Sequence, residues 1–225
     1  MMTNLFSTFD PSTSMNLSIN WMSTFIVMII LPPMFWINPS RIMMLTNMIN
    51  MSMHKEYKTS IKNKKGFTMM FTSMFMFILM NNMFGLLPYV FTSSSHLTFT
   101  LSLALPMWIS LMLFGWINQT QHMFSHLIPL GTPNALMPFM VLIETISNLI
   151  RPMSLAVRLT ANMIAGHLLM TLLGNNMINI NYMNLPFLIM FQMGLTMFET
   201  AVSIIQAYVF SVLITLYSSE IYENP

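Results

Sequence analysis

An apolar stretch fills residues 138–173, which read PFMVLIETISNLIRPMSLAVRLTANMIAGHLLMTLL. As one helix these residues would extend roughly 54 Å, whereas the hydrocarbon core of a membrane is about 30 Å thick. An ordinary tilt of about 20° does not absorb that excess. The stretch therefore either breaks, for which Pro152 would permit a kink, or crosses the membrane at a steep inclination.

Polar side chains form one stripe along this stretch. Helical residues advance by about 100° each, so Glu144, Arg151 and Arg158, spaced by seven, share a face. Close to the same face lie Ser147, Asn148, Ser154 and Asn162. His167 falls nine residues beyond Arg158, near the opposite face. An ionisable group in mid-membrane costs at least about 2.5–3.5 kcal/mol, so these residues are functional candidates.

A structural interpretation competes with the functional one. Glu144 and Arg151 are as well explained by an ion pair that joins two helices. Arg158 fits that interpretation less well, because no acidic residue lies within one helical turn of it. Its counter-charge must come from elsewhere.

Composition places the chain in a membrane. It has 225 residues, 55% hydrophobic and 6% charged, against about 25% charged residues in soluble domains. The net charge of +2 gives no reason to expect nucleic acid, and the lack of cysteine excludes disulfides and thiolate metal sites. The 30 methionines, spread along the chain, and an N-terminus without transit-peptide arginines favour synthesis inside an organelle.

We expect an all-α polytopic membrane protein, a single integral membrane domain over residues 1–225, with about five spans and an interfacial amphipathic helix near Arg41 to Met53. The spans are predicted at about 19–37, 67–91, 97–117, 138–173 and 185–217. A basic loop at 54–65 carries five lysines and marks the matrix side if the protein is mitochondrial. The N-terminus then lies in the intermembrane space and the C-terminus in the matrix.

The last two spans are predicted to form an antiparallel hairpin. The fifth span carries its own polar residues, Gln192, Glu199, Ser203 and Gln206. Residues at equal depth in such a hairpin have numbers with a constant sum. This rule pairs Arg158 with Gln206 and His167 with Glu199, and both pairs put the turn near residues 182–183.

Other chemistry has weak support. His122 and His126 have a metal-ligand spacing but lie in a predicted loop without a third ligand nearby, so we expect no metal. We find no nucleophile–base arrangement and no phosphate-binding loop, so no covalent catalysis and no cofactor are expected from this chain alone.

Residues 154–167 read SLAVRLTANMIAGH, which resembles the hallmark helix of the subunit a family of F-type ATP synthases. The resemblance extends to Gly85–Tyr89, Ile143-Glu144, Arg151-Pro152 and Glu199–Gln206. The methionine-rich style is similar to mitochondrially encoded members from insects. This family implies a proton-channel subunit in the mitochondrial inner membrane, bound to a ring of c subunits, to other membrane and peripheral-stalk subunits and to lipids.

The resemblance also implies residue roles. Arg158 would face the rotating ring, favour its ionised carboxylates and block a direct leak between two offset half-channels. Asn162 and Gln206 would position Arg158. The two half-channels would deliver protons to the ring and release them.

On the intermembrane side, protons would enter past Glu199 and His167. On the matrix side they would leave past Glu144, and their passage would drive rotation and ATP synthesis. Three other classes remain open. A respiratory proton pump would be expected to bury lysines, a secondary transporter to show an internal repeat, and a purely structural subunit not to need Arg158 unpaired.

Overall fold

The computed structural model of the chain describes residues 4–14, 17–31, 37–61, 66–128, 132–177 and 183–222. The described part is helical and contains no β-strand, as expected for an all-α protein. Its α-helices are α1 (Ser23–Ile30), α2 (Arg41–Ser60), α3 (Phe67–Gly85), α4 (Leu97–Asn118), α5 (Thr120–His126), α6 (Met137–Met177) and α7 (Leu185–Tyr222).

Four of these helices are long and apolar enough to cross a membrane: α3, α4, α6 and α7. Together with a shorter apolar helix at Ile19–Ile30, they confirm the expected all-α polytopic membrane fold. Part of the first predicted span, residues 32–36, lies outside the described residues. Helix α3 ends at Gly85 rather than near residue 91, and Pro88, three residues later, disfavours helical backbone at Leu87.

The predicted interfacial helix is α2, and it continues to Ser60. The Ser40 hydroxyl caps it by accepting a hydrogen bond from the Met43 amide at 3.3 Å. The helix therefore includes residues 54–60 of the predicted basic loop, with Lys55 and Lys58. Residues 62–65, which hold the other three lysines, lie outside the described residues.

Helices α6 and α7 are each continuous, and Pro152 lies inside α6 without ending it. With 41 residues, α6 is about 60 Å long, twice the thickness of the hydrocarbon core. Neighbouring helices can accommodate a proline within a membrane helix. Of the two sequence-based alternatives, the unbroken helix is the one observed.

The core lies where α3 and α4 pack against the hairpin, α3 mainly on α7 and α4 mainly on α6. Helix α6 buries Leu155, Ala156 and Leu159, and α7 buries Ala207 and Phe210. One side of each long helix is therefore fixed by protein contacts. The polar stripe of α6 lies away from this core: Ser154, Arg158 and Asn162 are exposed, and Glu144 and Arg151 are partly exposed.

Candidate functional site

The centre of the candidate site is a contact between the two long helices. Asn162 on α6 donates a hydrogen bond from Nδ2 to Oε1 of Gln206 on α7, at 3.0 Å. Gln206 is buried, and Asn162 is exposed. The predicted antiparallel pairing of the two helices is thus observed, displaced by one helical turn. Gln206 bonds to Asn162, whereas the sequence paired it with Arg158, four residues before Asn162.

Arg158 lies on the exposed side of α6, one turn from the Asn162–Gln206 bond. Within the described ranges it forms neither a hydrogen bond nor an ion pair. Arginine is protonated at any physiological pH, so this is a permanent positive charge on a hydrophobic helix. Its partner must lie outside this chain or in its aqueous surroundings.

A second group of polar atoms lies toward the hairpin turn. Glu199 on α7 is buried, and neither of its carboxylate oxygens has a hydrogen-bond partner in the described structure. The carboxylate lies directly against Gly166 of α6, where an added Cβ would be 2.6 Å from Oε1. Real Cβ atoms do not approach that closely, so only glycine leaves room for this carboxylate.

His167 adjoins this group without bonding to Glu199. Its ring is half-buried, its Nε2 has no hydrogen-bond partner among the described residues, and it interacts with the backbone of Gly85 at the end of α3. The edge of Phe9 packs on the ring, with centroids 6.2 Å apart. The predicted shared depth of His167 and Glu199 is observed, since Glu199 contacts the residue before His167.

Asn82 on α3 belongs to the same region. It donates a hydrogen bond to the Ser203 carbonyl of the neighbouring helix α7 at 3.4 Å, and its Oδ1 is buried without a described partner. Asn81 instead donates to Phe77 of its own helix. We call this region the enclosed site: it comprises the polar side chains of Asn82, His167 and Glu199 together with Gly166, which leaves space for Glu199.

A third group lies at the opposite end of the hairpin. Arg151 binds Glu144 at 3.5 Å and Glu220 of α7 at 3.1 Å, and its guanidinium stacks over Tyr217 at 5.1 Å from the ring centre. These residues line a cavity of about 520 Å³ between α4, α5, α6 and α7, with Trp108 and Trp116 on its far wall. We call this group, Glu144, Arg151, Tyr217 and Glu220, the open site.

The sequence did not single out Glu220. It lies beyond the predicted end of the fifth span, and 69 residues separate it from Arg151. The constant-sum rule for the hairpin nevertheless places Arg151 near this end of α7. Applied to Arg151, it gives a partner near residues 213–215, within two turns of Glu220.

The predicted loop around His122 and His126 is wrong. Both residues lie on α5, which begins at Thr120, because residues 120–126 contain neither glycine nor proline to interrupt a helix. In the part of the chain that the structure describes, no group of three or more His, Asp or Glu residues is arranged to hold a metal ion.

The helices and their polar sites define the class of protein: a polytopic membrane protein with ionisable groups along its longest helices. The sequence model of the ATP synthase A chain family matches residues 15–219, which is most of the chain. The chain belongs to this family, whose members act in proton translocation for ATP synthesis. It is accordingly a membrane component of an ATP synthase and associates with other subunits of that enzyme complex.

Individual relatives agree with the family match. The chain is 62% identical over 225 residues to ATP synthase subunit a of Locusta migratoria, covering 99% of this chain and 100% of the relative. It is 59% identical to the subunits of the same name from Drosophila melanogaster and Anopheles gambiae, covering 98% of this chain and 100% of each relative. The predicted resemblance to insect members is confirmed.

Proposed function

We propose that this chain conducts protons through two offset half-channels and that Arg158 separates them. The observation that carries the proposal is the position of Arg158, exposed on α6 with no partner among the described residues. The enclosed site lies on one side of Arg158 along the hairpin, and the open site lies on the other. One unpaired cation thus stands between two groups of proton-binding side chains.

The surface around Arg158 is suited to a helical partner. Ser154, Ala161 and Ala165 are exposed and fall within about 60° of each other on α6, with Arg158 among them. Small side chains allow a neighbouring membrane helix to approach closely. A ring of c subunits carrying membrane carboxylates fits this surface, because Arg158 would stabilise each ionised carboxylate as it passes.

The enclosed site serves as the inlet from the intermembrane space. Its unpaired buried atoms include both oxygens of Glu199 and Nε2 of His167. Buried polar atoms in folded proteins are nearly always satisfied, and water is the usual partner when protein groups are not. A short water path past Glu199 and His167 would satisfy these atoms and deliver protons to the ring.

The open site serves as the outlet to the matrix. Glu144 borders the cavity of about 520 Å³, which is large enough for several water molecules. A proton released by the ring would pass Glu144 and reach the aqueous phase through this cavity. The membrane potential supplies about 2.3 kcal/mol per proton per 100 mV for the whole passage.

The proposed setting is the mitochondrial inner membrane, with the N-terminus in the intermembrane space and the C-terminus in the matrix. Support comes from the lysine-rich residues 54–65, which the positive-inside rule assigns to the matrix. Helices α6 and α7, about 60 Å and 57 Å long, would lie steeply inclined along the curved ring. The chain itself catalyses no covalent step; rotation of the ring transmits the energy to the catalytic subunits.

The test replaces Arg158 by alanine in the assembled ATP synthase complex, in sealed vesicles. Arg41→Ala, at the exposed start of α2, is the matched control for the loss of one positive charge. We expect Arg158→Ala to abolish ATP-driven proton pumping and to add a passive proton leak, while assembly persists. Pumping near the control rate would refute the half-channel proposal and favour a structural role.

A further inference from the structure

We propose that His96 is a positioning residue of the inlet: it holds the backbone of Phe9 and thereby keeps the N-terminal segment Leu5–Phe9 against the ring of His167. The proposal deepens the inlet function proposed above and rests on it. It adds a residue from the start of α4, outside the polar pattern of the last two spans. Three observations support it: the hydrogen bond of His96, the aromatic rings around it, and the few other attachments of the segment.

Two successive contacts connect His96 to His167. Nε2 of His96 lies 2.8 Å from the carbonyl oxygen of Phe9, 87 residues earlier in the chain. A carbonyl oxygen only accepts hydrogen bonds, so Nε2 carries the hydrogen and donates it. The ring of Phe9 meets the ring of His167 edge to face, with centroids 6.2 Å apart and planes at 89°. Phe9 therefore links the two histidines, through its backbone to one and through its side chain to the other.

The imidazole of His96 is held in place by its surroundings. The ring of Phe91 stacks on it with centroids 5.2 Å apart, and the indole of Trp21 packs at 5.1 Å. The backbone is fixed as well, since His96 is the N-cap residue of α4 and its amide donates to the Ser93 carbonyl at 3.1 Å. The hydrogen bond to Phe9 therefore comes from a donor whose direction is set in advance.

The N-terminal segment has few other attachments. Leu5–Phe9 is a 3-10 helix of five residues without a buried side chain, and helices this short are not stable alone. Its own side-chain hydrogen bonds are internal to residues 4–8. The next residue, Asp10, accepts a longer bond of 3.4 Å from Asn20 at an exposed position. Among the described contacts, the bond from His96 is thus the shortest hydrogen bond that ties this segment to the rest of the chain.

The segment in turn restrains His167. The imidazole of His167 interacts with the backbone of Gly85 as well as with Phe9, and its Nε2 is buried without a described partner. A proton-transfer group works only within hydrogen-bond reach of its donor and acceptor. The ring of Phe9 occupies space into which the imidazole would otherwise turn. Without it, Nε2 would leave the proton path for part of the time.

The competing explanation is that His96 only fills space in its aromatic cluster. Two substitutions separate the alternatives. His96→Gln loses the ring but keeps an N–H group close to the place of Nε2, so it can still donate to Phe9. His96→Phe keeps an aromatic ring for Trp21 and Phe91 but has no donor. A positioning residue tolerates glutamine better than phenylalanine, and a packing residue tolerates phenylalanine better than glutamine.

The experiment measures initial rates of ATP-driven proton pumping by the assembled complex in sealed vesicles, normalised to assembled complex on a native gel. His54→Phe, which removes a partly exposed imidazole from α2, is the matched control. We expect His96→Phe to slow pumping about tenfold, less than the loss of a proton-transfer group, because His167 itself remains. His96→Gln should retain most of the rate.

A spin label at Phe6→Cys tests the attachment of the segment directly. Phe6 is exposed, and the chain contains no native cysteine, so the spectrum of the complex without Phe6→Cys serves as the background. In electron paramagnetic resonance spectra the label should be immobile with native His96 and with His96→Gln, and mobile with His96→Phe. A label that stays immobile in His96→Phe would overturn the proposal.

Phe9→Ala breaks the second contact alone, since it removes the ring on His167 and keeps the carbonyl that His96 binds. It should slow pumping as much as His96→Phe while the label stays immobile, and it decides the matter if His96→Phe fails to assemble. A control-like rate for either variant, or faster pumping by His96→Phe than by His96→Gln, would contradict the positioning role. An unaffected His167→Gln would instead refute the inlet assignment itself.

Discussion

The enclosed site and the open site lie on the same pair of helices, yet they hold their carboxylates in opposite ways. Glu199 is buried against Gly166, with no described hydrogen-bond partner on either oxygen. Glu144 and Glu220 are partly exposed and share one arginine. The enclosed carboxylate is positioned by shape, because the neighbouring helix leaves space for it. The open carboxylates are positioned by charge.

This difference follows from the surroundings of each site. The enclosed site lies where α3 packs on α7, and Asn82 of α3 is completely buried beside it. The open site lies at the far end of the hairpin, beside a cavity. Solvent-exposed ion pairs contribute little to stability, whereas an atom added to a closely packed site displaces its neighbours. The two sites should therefore respond to different substitutions.

Among the substitutions that distinguish the enclosed site from the open site, Gly166→Ala is expected to have the largest effect. The new methyl group would overlap Oε1 of Glu199, and the carboxylate would have to swing away from its position. Because that carboxylate is the end of a flexible side chain, the complex should still assemble. We expect proton pumping in sealed vesicles to fall by about a hundredfold, the scale of a lost proton-transfer group.

Gly174→Ala is the matched control for this substitution. It lies on the same helix, and nothing lies within 4 Å of its added Cβ. Pumping by Gly174→Ala should match the wild type. Equal pumping by both alanine variants would show that Glu199 does not need its observed position, and the distinction between the two sites would fail.

A smaller effect is expected at the open site from Arg151→Gln. Loss of the guanidinium leaves Glu144 and Glu220 without their shared charge, but both can turn to water. We expect a stability loss of about 1 kcal/mol at low salt that shrinks as salt screens the wild-type pairs. The measurement is the fraction of complex that stays assembled after heating, at two salt concentrations. A salt-independent loss above about 3 kcal/mol would indicate a buried network instead.

The smallest effect on the two sites themselves is expected from Tyr57→Phe, which tests the stretch of α7 between them. The Tyr57 hydroxyl of α2 donates to Ser211 Oγ at 2.6 Å, in the buried core. Its removal should cost about 1 kcal/mol, read as a lower temperature of disassembly. Both sites should keep their function, because neither contains Tyr57. Loss of pumping at full assembly would show that α2 controls the position of α7.

Burial raises the pKa of Tyr57 to about 12. A raised pKa means that the folded state favours the neutral phenol, so its contribution is complete below the ordinary pKa of about 10 and lost as the pH rises toward 12. The stability difference between wild type and Tyr57→Phe should therefore stay constant from pH 6 to pH 9. A difference that vanished within that range would contradict the buried hydrogen bond.

The sequence predicted the helices well where their own pattern was sufficient. Four spans begin within one residue of their predicted starts, since long apolar runs need no information about their neighbours. The ends of the elements were less accurate, and α6 and α7 run four and five residues beyond their predicted ends at 173 and 217. Helix α3 stops earlier than predicted and α2 extends into the predicted basic loop, because local turn and capping chemistry decides where a helix ends.

In the candidate site, too, the sequence predicted some features and missed others. The constant-sum rule brought Gln206 within one turn of its observed partner Asn162 and His167 to the depth of Glu199. The rule could not predict that Gly166 contacts Glu199, because a glycine in a sequence does not indicate which side chain occupies the space beside it. Glu220 was missed for a related reason: long side chains reach across more than a turn, which depth arithmetic ignores.

The sequence by itself therefore determined that this chain is a helical membrane protein with a polar stripe, an isolated Arg158 and a long final hairpin. These features depend on composition and on the 3.6-residue period, which are properties of one segment at a time. Only the tertiary structure decided that Glu199 is enclosed and that Arg151 joins Glu144 to Glu220. Burial and pairing depend on which helices meet and at what rotation, and that is set by packing between segments distant in the chain.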